Sequence, residues 1–164
     1  MNNGVNIKQE PPGQRRLYLR DPELDQGAAL IASAAARLQR IAADARPAAL
    51  AEPLALLLLD IALHGPCDIK TLGAQTARPR PTLARQLADL DQRALIEKTA
   101  GGADQRTRTL TLSETGARVV APMLAAIRKR MVEAYRAQTP DGVSASDEIL
   151  RSVAGSAQTP LGRP

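Results

Sequence analysis

Residues 68–116 read DIKTLGAQTARPRPTLARQLADLDQRALIEKTAGGADQRTRTLTLSETG, and the order of structural signals inside them decides the fold. Asp68 is a helix-capping residue ahead of Leu72 and Ala74, so a short helix is expected there. Pro79 and Pro81 exclude a long helix or a central strand over 76–81, which makes that stretch a turn. Pro81 or Thr82 opens the next helix, with Leu83, Leu87 and Leu90 on one face and Thr82, Arg85, Gln86, Asp89 and Arg93 on the opposite one. Residues 95–99 and 107–112 have the pattern of two short strands joined by a glycine-containing loop. In the second strand Leu110 and Leu112 alternate with Thr109 and Thr111, giving one buried and one exposed face. Ser113 then caps a long helix, with Glu114 favourably placed near its positive end.

Working outward, Asp21 and Pro22 signal the start of a helix carrying Leu24, Ala28, Ile31, Ala35, Leu38 and Ala42 at helical spacing, and Arg46-Pro47 marks its stop. A second helix runs from about Pro53 to Gly65-Pro66; leucines cover most of its circumference, which predicts a central, buried position. The helix after Ser113 has a seam of Val120, Leu124, Ile127, Met131 and Ala134, with a kink or restart expected at Pro122. A last short helix is expected after Ser144 or Ser146, using Ile149, Leu150 and Val153. Residues 1–20 and 154–164 show no period and read as a flexible arm and tail.

The composition agrees with a mainly α protein. The chain has 164 residues, and Tyr18 and Tyr135 are its only aromatic residues, so its apolar content suits closely packed helices better than a sandwich or barrel. A net charge of +5 makes polyanions such as nucleic acid suitable partners, or else leaves a merely basic surface. The lone Cys67 can form no intrachain disulfide, no signal-peptide pattern opens the chain, and the longest apolar run, 54–59, is too short to span a bilayer. The expectation is a cytoplasmic protein without a membrane partner.

A helix pair followed by a β-wing can set one helix in a major groove and the wing in a neighbouring groove. On LGAQT at 72–76, TLARQLADLD at 82–91 and DQRTRTLTLSETG at 104–116, the chain resembles the MarR family of winged helix-turn-helix regulators. The resemblance implies that the helix from Thr82 is the recognition helix, with Thr82, Arg85 and Gln86 facing double-stranded DNA. Arg suits guanine, Gln suits adenine, and Thr discriminates less. Arg78 and Arg80 flank the helix start, where they either hold phosphates or remain solvated turn arginines. By the same resemblance Asp104 and Arg106 match the wing motif whose arginine enters a minor groove, and Arg108 belongs to the same DNA-binding set. Gln105 and Ala94 depart from the family pattern, which usually has Arg and Gly there.

The expected architecture is therefore mainly α with a small β-wing. A winged helix-turn-helix at 53–113 sits in a body spanning 21–153, flanked by dimerisation helices at 21–46 and 114–153. Apolar stripes on the first and fifth helices would be buried by a second copy, giving a homodimer on a pseudo-palindromic operator and a role as a ligand-responsive transcriptional repressor. Relatives in the family bind small aromatic or phenolic effectors, for which Arg37 and His64 are the candidate polar contacts. A winged module that binds only protein is the alternative. No catalytic residue, metal site or cofactor is expected, since His64 and Cys67 alone make no zinc signature and the chain lacks a phosphate-cradling loop.

Overall fold

The computed structural model describes residues 20–100 and 108–155. Its elements are α1 (Asp21–Asp44), α2 (Glu52–His64), β1 (Cys67–Asp68), α3 (Ile69–Thr76), α4 (Arg80–Gln92), β2 (Ile96–Ala100), β3 (Arg108–Leu112), α5 (Glu114–Tyr135) and α6 (Pro140–Ala154). The chain separates into two compact units, Met1–Ala36 and Arg37–Pro164. The described part of the first is the N-terminal stretch of α1, and all later elements belong to the second.

The core of the second unit forms around α2. Leu54, Leu57, Leu58 and Ile61 are buried on this helix, as the all-round apolar sequence requires. Leu72 of α3, Leu83, Leu87 and Leu90 of α4, Leu110 of β3, and Val120 and Met123 of α5 complete the same cluster. Each fully buried leucine contributes roughly 2 kcal/mol of transfer free energy, so α2 anchors the winged segment. Leu124 and Ile127 also pack against this core. The first half of the α5 seam thus belongs to its own chain, and only farther along are apolar side chains such as Val132 and Tyr135 left exposed.

The sheet has the order β1-β3-β2, antiparallel throughout. In the hairpin Ile96 lies opposite Leu112 and Ala100 opposite Arg108. The two-residue β1 was not expected; it pairs Cys67 with Leu110 and Asp68 with Thr109, and a strand that short carries no readable alternation. One helix boundary also differs from expectation, and of the kink or restart expected at Pro122 the restart is absent. Helix α5 runs through Pro122 without restarting, because the proline removes one backbone donor while flanking turns and core contacts hold the helix. Helix α6 begins at Pro140 rather than after Ser144, since Thr139 accepts a hydrogen bond from the Gly142 N–H and supplies an earlier cap.

Recognition-helix candidate α4 is fastened at its C-terminal end. The Leu95 N–H donates to the Leu90 carbonyl and the Ala94 N–H to the Asp91 carbonyl, both at 2.9 Å. This is the Schellman pattern, with buried Leu90 and Leu95 as its apolar pair. Ala94 must adopt φ 52° to make it, a left-handed conformation that glycine reaches without a Cβ penalty. Ala94→Gly is therefore expected to raise unfolding free energy by roughly 0.5–1 kcal/mol, less whatever the added freedom of the unfolded chain offsets. Urea denaturation measures this, and a loss of stability would contradict it.

The same two residues hold the start of α5. The Ala94 carbonyl accepts from Ser113 Oγ at 2.7 Å, the Leu95 carbonyl accepts from the Ser113 N–H at 3.1 Å, and Ser113 Oγ in turn accepts from the Gly116 N–H at 2.9 Å. Gly116 is buried at this crossing, where an added Cβ would lie 1.9 Å from the Leu95 oxygen.

Candidate nucleic-acid interface

Helices α3 and α4 approach closely at Gly73, where a Cβ would sit 3.4 Å from Leu83 Cδ2. Asp68 caps α3 by accepting the Thr71 N–H at 2.7 Å, and this bond, aided by the Lys70 N–H and charge and working against desolvation, holds the Asp68 carboxyl below its usual range. A carboxylate with a depressed folded pKa stabilises the fold above the unfolded carboxylate range and loses that contribution as pH falls through the folded value. Wild type is therefore expected to lose stability relative to Asp68→Asn, which caps without titrating, as pH drops from about 5 to about 2. Paired thermal melts across that range test it, and a constant difference would refute it.

Of the three α4 side chains expected to face DNA, Thr82, Arg85 and Gln86, Arg85 is the exposed one. The exposed face carries Pro81, Ala84, Arg85, Ala88 and Gln92. Thr82, Gln86 and Asp89 are half-buried instead, and Gln86 and Asp89, together with Arg85, border a cavity of about 260 Å³ against Ala51 and Pro53 at the start of α2. Gln86 Oε1 is buried with no hydrogen-bond partner among the described residues. At 3.6 residues per turn Thr82, Gln86, Asp89 and Arg93 fall within an arc of about 60° on the flank beside the buried leucines rather than opposite them, and Arg85 stands beyond the outer edge of that arc. Sequence spacing placed Thr82 and Gln86 beside Arg85; in the fold both are half-buried while Arg85 is exposed, although Arg85 and Gln86 border the same cavity beside α2.

The turn before α4 also divides its two arginines. Arg80 is exposed and, with Arg78 and with Lys70 of α3, lines a cavity of about 670 Å³ whose walls include Ile69, Ala74 and Leu83. Arg78 is the less exposed of the two: its Nη1 lies 2.5 Å from Asp60 Oδ2 on α2, with the two side chains only 20% and 25% exposed. The expected phosphate contact from Arg78 therefore has its donor end engaged by a carboxylate of the core helix. Lys70 and Asp60 were the residues that spacing did not single out. Asp60 did carry a signal, as the only charged side chain between Pro53 and Leu63.

Asp104 and Arg106 lie outside the described residues, and of Arg108 only the backbone, paired with Ala100, is described. Arg37 is exposed on α1, and His64 is exposed at the end of α2, its Nδ1 2.8 Å from the Asp60 carbonyl oxygen. Neither lines the two cavities above. Cys67 is buried in β1, and burial followed by the Asp68 charge pushes its thiol above the usual range, the opposite of what a reactive thiolate needs. Among the described residues no helix is long and apolar enough to cross a membrane.

No family model matches the chain and no curated protein matches its sequence. Solved structures do match. A MarR family regulator from Neisseria meningitidis superposes with a TM-score of 0.60 at 23% identity, over 80% of this chain and 91% of that one. A mutant of MarR from E. coli, complexed with operator DNA, gives 0.53 at 18% identity over 80% and 95%. BpsR of Bordetella bronchiseptica, whose DNA binding is regulated by 6-hydroxynicotinic acid, gives 0.53 at 22% identity over 79% and 98%. The chain has the winged-helix fold of the MarR regulators, mainly α with a small antiparallel sheet.

Proposed function

We propose that the chain is a MarR-type transcriptional regulator that binds double-stranded DNA as a homodimer, α4 entering the major groove. The observation that carries this reading is the outward face of α4. Arg85 projects between Ala84 and Ala88 on that face, so a long bidentate donor stands on a helix surface low enough to approach base edges. Arg80 and Lys70 lie at the N-terminal side of the same surface, where cations and free backbone N–H groups suit phosphates. The wing arginines Arg106 and Arg108 complete the proposed contact set, with Arg106 in a minor groove and Asp104 beside it.

Dimerisation is supported by the apolar side chains left in solvent by the helices at both ends of the body. Leu24 and Leu30 are exposed on α1, and Ile149, Leu150 and Val153 on α6. A second copy would cover such helices and set two recognition helices on half-sites with centres about 34–36 Å apart. Repression follows from occupancy, since a compact dimer on an operator blocks polymerase without a further domain. Control by a small aromatic or phenolic effector, with Arg37 and His64 as candidate contacts, is supported by likeness to BpsR.

Selection of bound duplexes from a random library, with light scattering of the complex, tests the reading. The expected result is a pseudo-palindromic site bound by two copies. Weak, sequence-insensitive binding by a monomer would defeat it and favour a winged module that engages protein only.

A further inference from the structure

The Arg78–Asp60 pair joins the core helix to the turn from which α4 begins. Two features make this turn dependent on that link. Ala77 closes α3 in a left-handed conformation at φ 50°, and Pro79, with φ −58°, starts α4 without a side-chain cap bond. Arg78, between them, is the turn residue whose side chain reaches another element, pairing with Asp60 at 2.5 Å while only 20% exposed. Asp60 sits between buried Leu59 and Ile61, so its backbone is held by the core.

Resting on the DNA-binding reading above, we propose that Arg78 and Asp60 are a positioning pair. They set where the N-terminal turn of α4 stands against α2, and Arg78 acts on DNA through Arg80 and Arg85 rather than by touching a phosphate itself. The pair is only partly screened by solvent, and removal of either member leaves a half-buried charge without its partner, which destabilises the local arrangement more than loss of both. Asp60 is consequential because its sign opposes the expectation from bulk charge. Removing a carboxylate near a DNA-binding surface normally strengthens binding through weaker repulsion of phosphates; a positioning role makes the same change weaken it.

The test uses the full chain with Asp60→Asn, Arg78→Gln and the double variant, first by hydrogen exchange of the free protein and then by operator binding across a salt series. Both single variants are expected to speed exchange at the amides of residues 83–87 while leaving α2 and α5 protected, which shows that the body remains folded. Each is expected to weaken operator binding roughly tenfold with an unchanged salt slope, and the double variant to bind no worse than either. Asp60→Asn binding as tightly as wild type or tighter, or Arg78→Gln lowering the salt slope by about 0.9, would overturn the proposal and restore Arg78 as a phosphate contact. Unchanged exchange at 83–87 would overturn it independently of DNA. If wild type binds no operator, the functional reading fails while the exchange arm still decides whether the pair holds α4.

Discussion

Gly116→Ala is expected to destabilise the fold by about 3 kcal/mol or more, a large part of the roughly 5–15 kcal/mol that holds a domain of this size together. The added methyl would meet the Leu95 carbonyl oxygen at 1.9 Å and its carbon at 2.9 Å. Neither atom can rotate away, because the same oxygen accepts the Ser113 N–H and Leu95 itself donates to the Leu90 carbonyl. Relief would require α5 to lift from the end of α4, breaking the Ser113 bonds and exposing Val120 and Met123. Gly73→Ala is the internal control. Its new methyl would touch only the flexible end of Leu83 at 3.4 Å, and the gain in helix propensity of up to about 1 kcal/mol makes it near neutral. Urea denaturation of the two variants checks this, and equal stabilities would refute the assignment of Gly116 as a close-contact position.

Arg85→Ala is expected to lower operator affinity by about 1–3 kcal/mol and to relax preference at one base pair in each half-site. Arg85 is exposed and takes part in no described ion pair or hydrogen bond, so its removal leaves no orphaned partner and should leave thermal stability unchanged. Affinity and stability therefore separate at this position. Gln86→Ala should behave in the opposite manner, altering the contact between α4 and α2 without relaxing a single base, because its carbonyl oxygen is turned inward. Competition binding with every single-base variant of the selected site distinguishes the two. A uniform loss across all sequences on Arg85→Ala would make it a phosphate contact.

Much of the fold could be read from the chain because its strongest signals are local. The leucines of α2, the alternation of Thr109, Leu110, Thr111 and Leu112, and the Ser113 cap each depend on near neighbours, and each is found where spacing placed it. The site was legible only in part, because orientation depends on distant elements. Periodicity divides α4 into a buried side and everything else; it cannot show that α2 covers the Gln86 flank. Likewise Arg78 and Arg80 are alike in sequence, and only the position of Asp60, 18 residues away, separates them. The two-residue β1 and the Thr139 cap were missed for the opposite reason, being too brief or too common a pattern to stand out.

The short β1 strand has a mechanical outcome. It runs directly into α3, whose cap is Asp68, and it is hydrogen-bonded to β3 at the base of the wing. The root of the wing and the start of α3 are thus joined directly through paired backbone. In the proposed dimer, operators whose half-sites sit nearer or farther apart would be accommodated between the two copies, so tolerance for spacing would be a property of the pair and not of either copy.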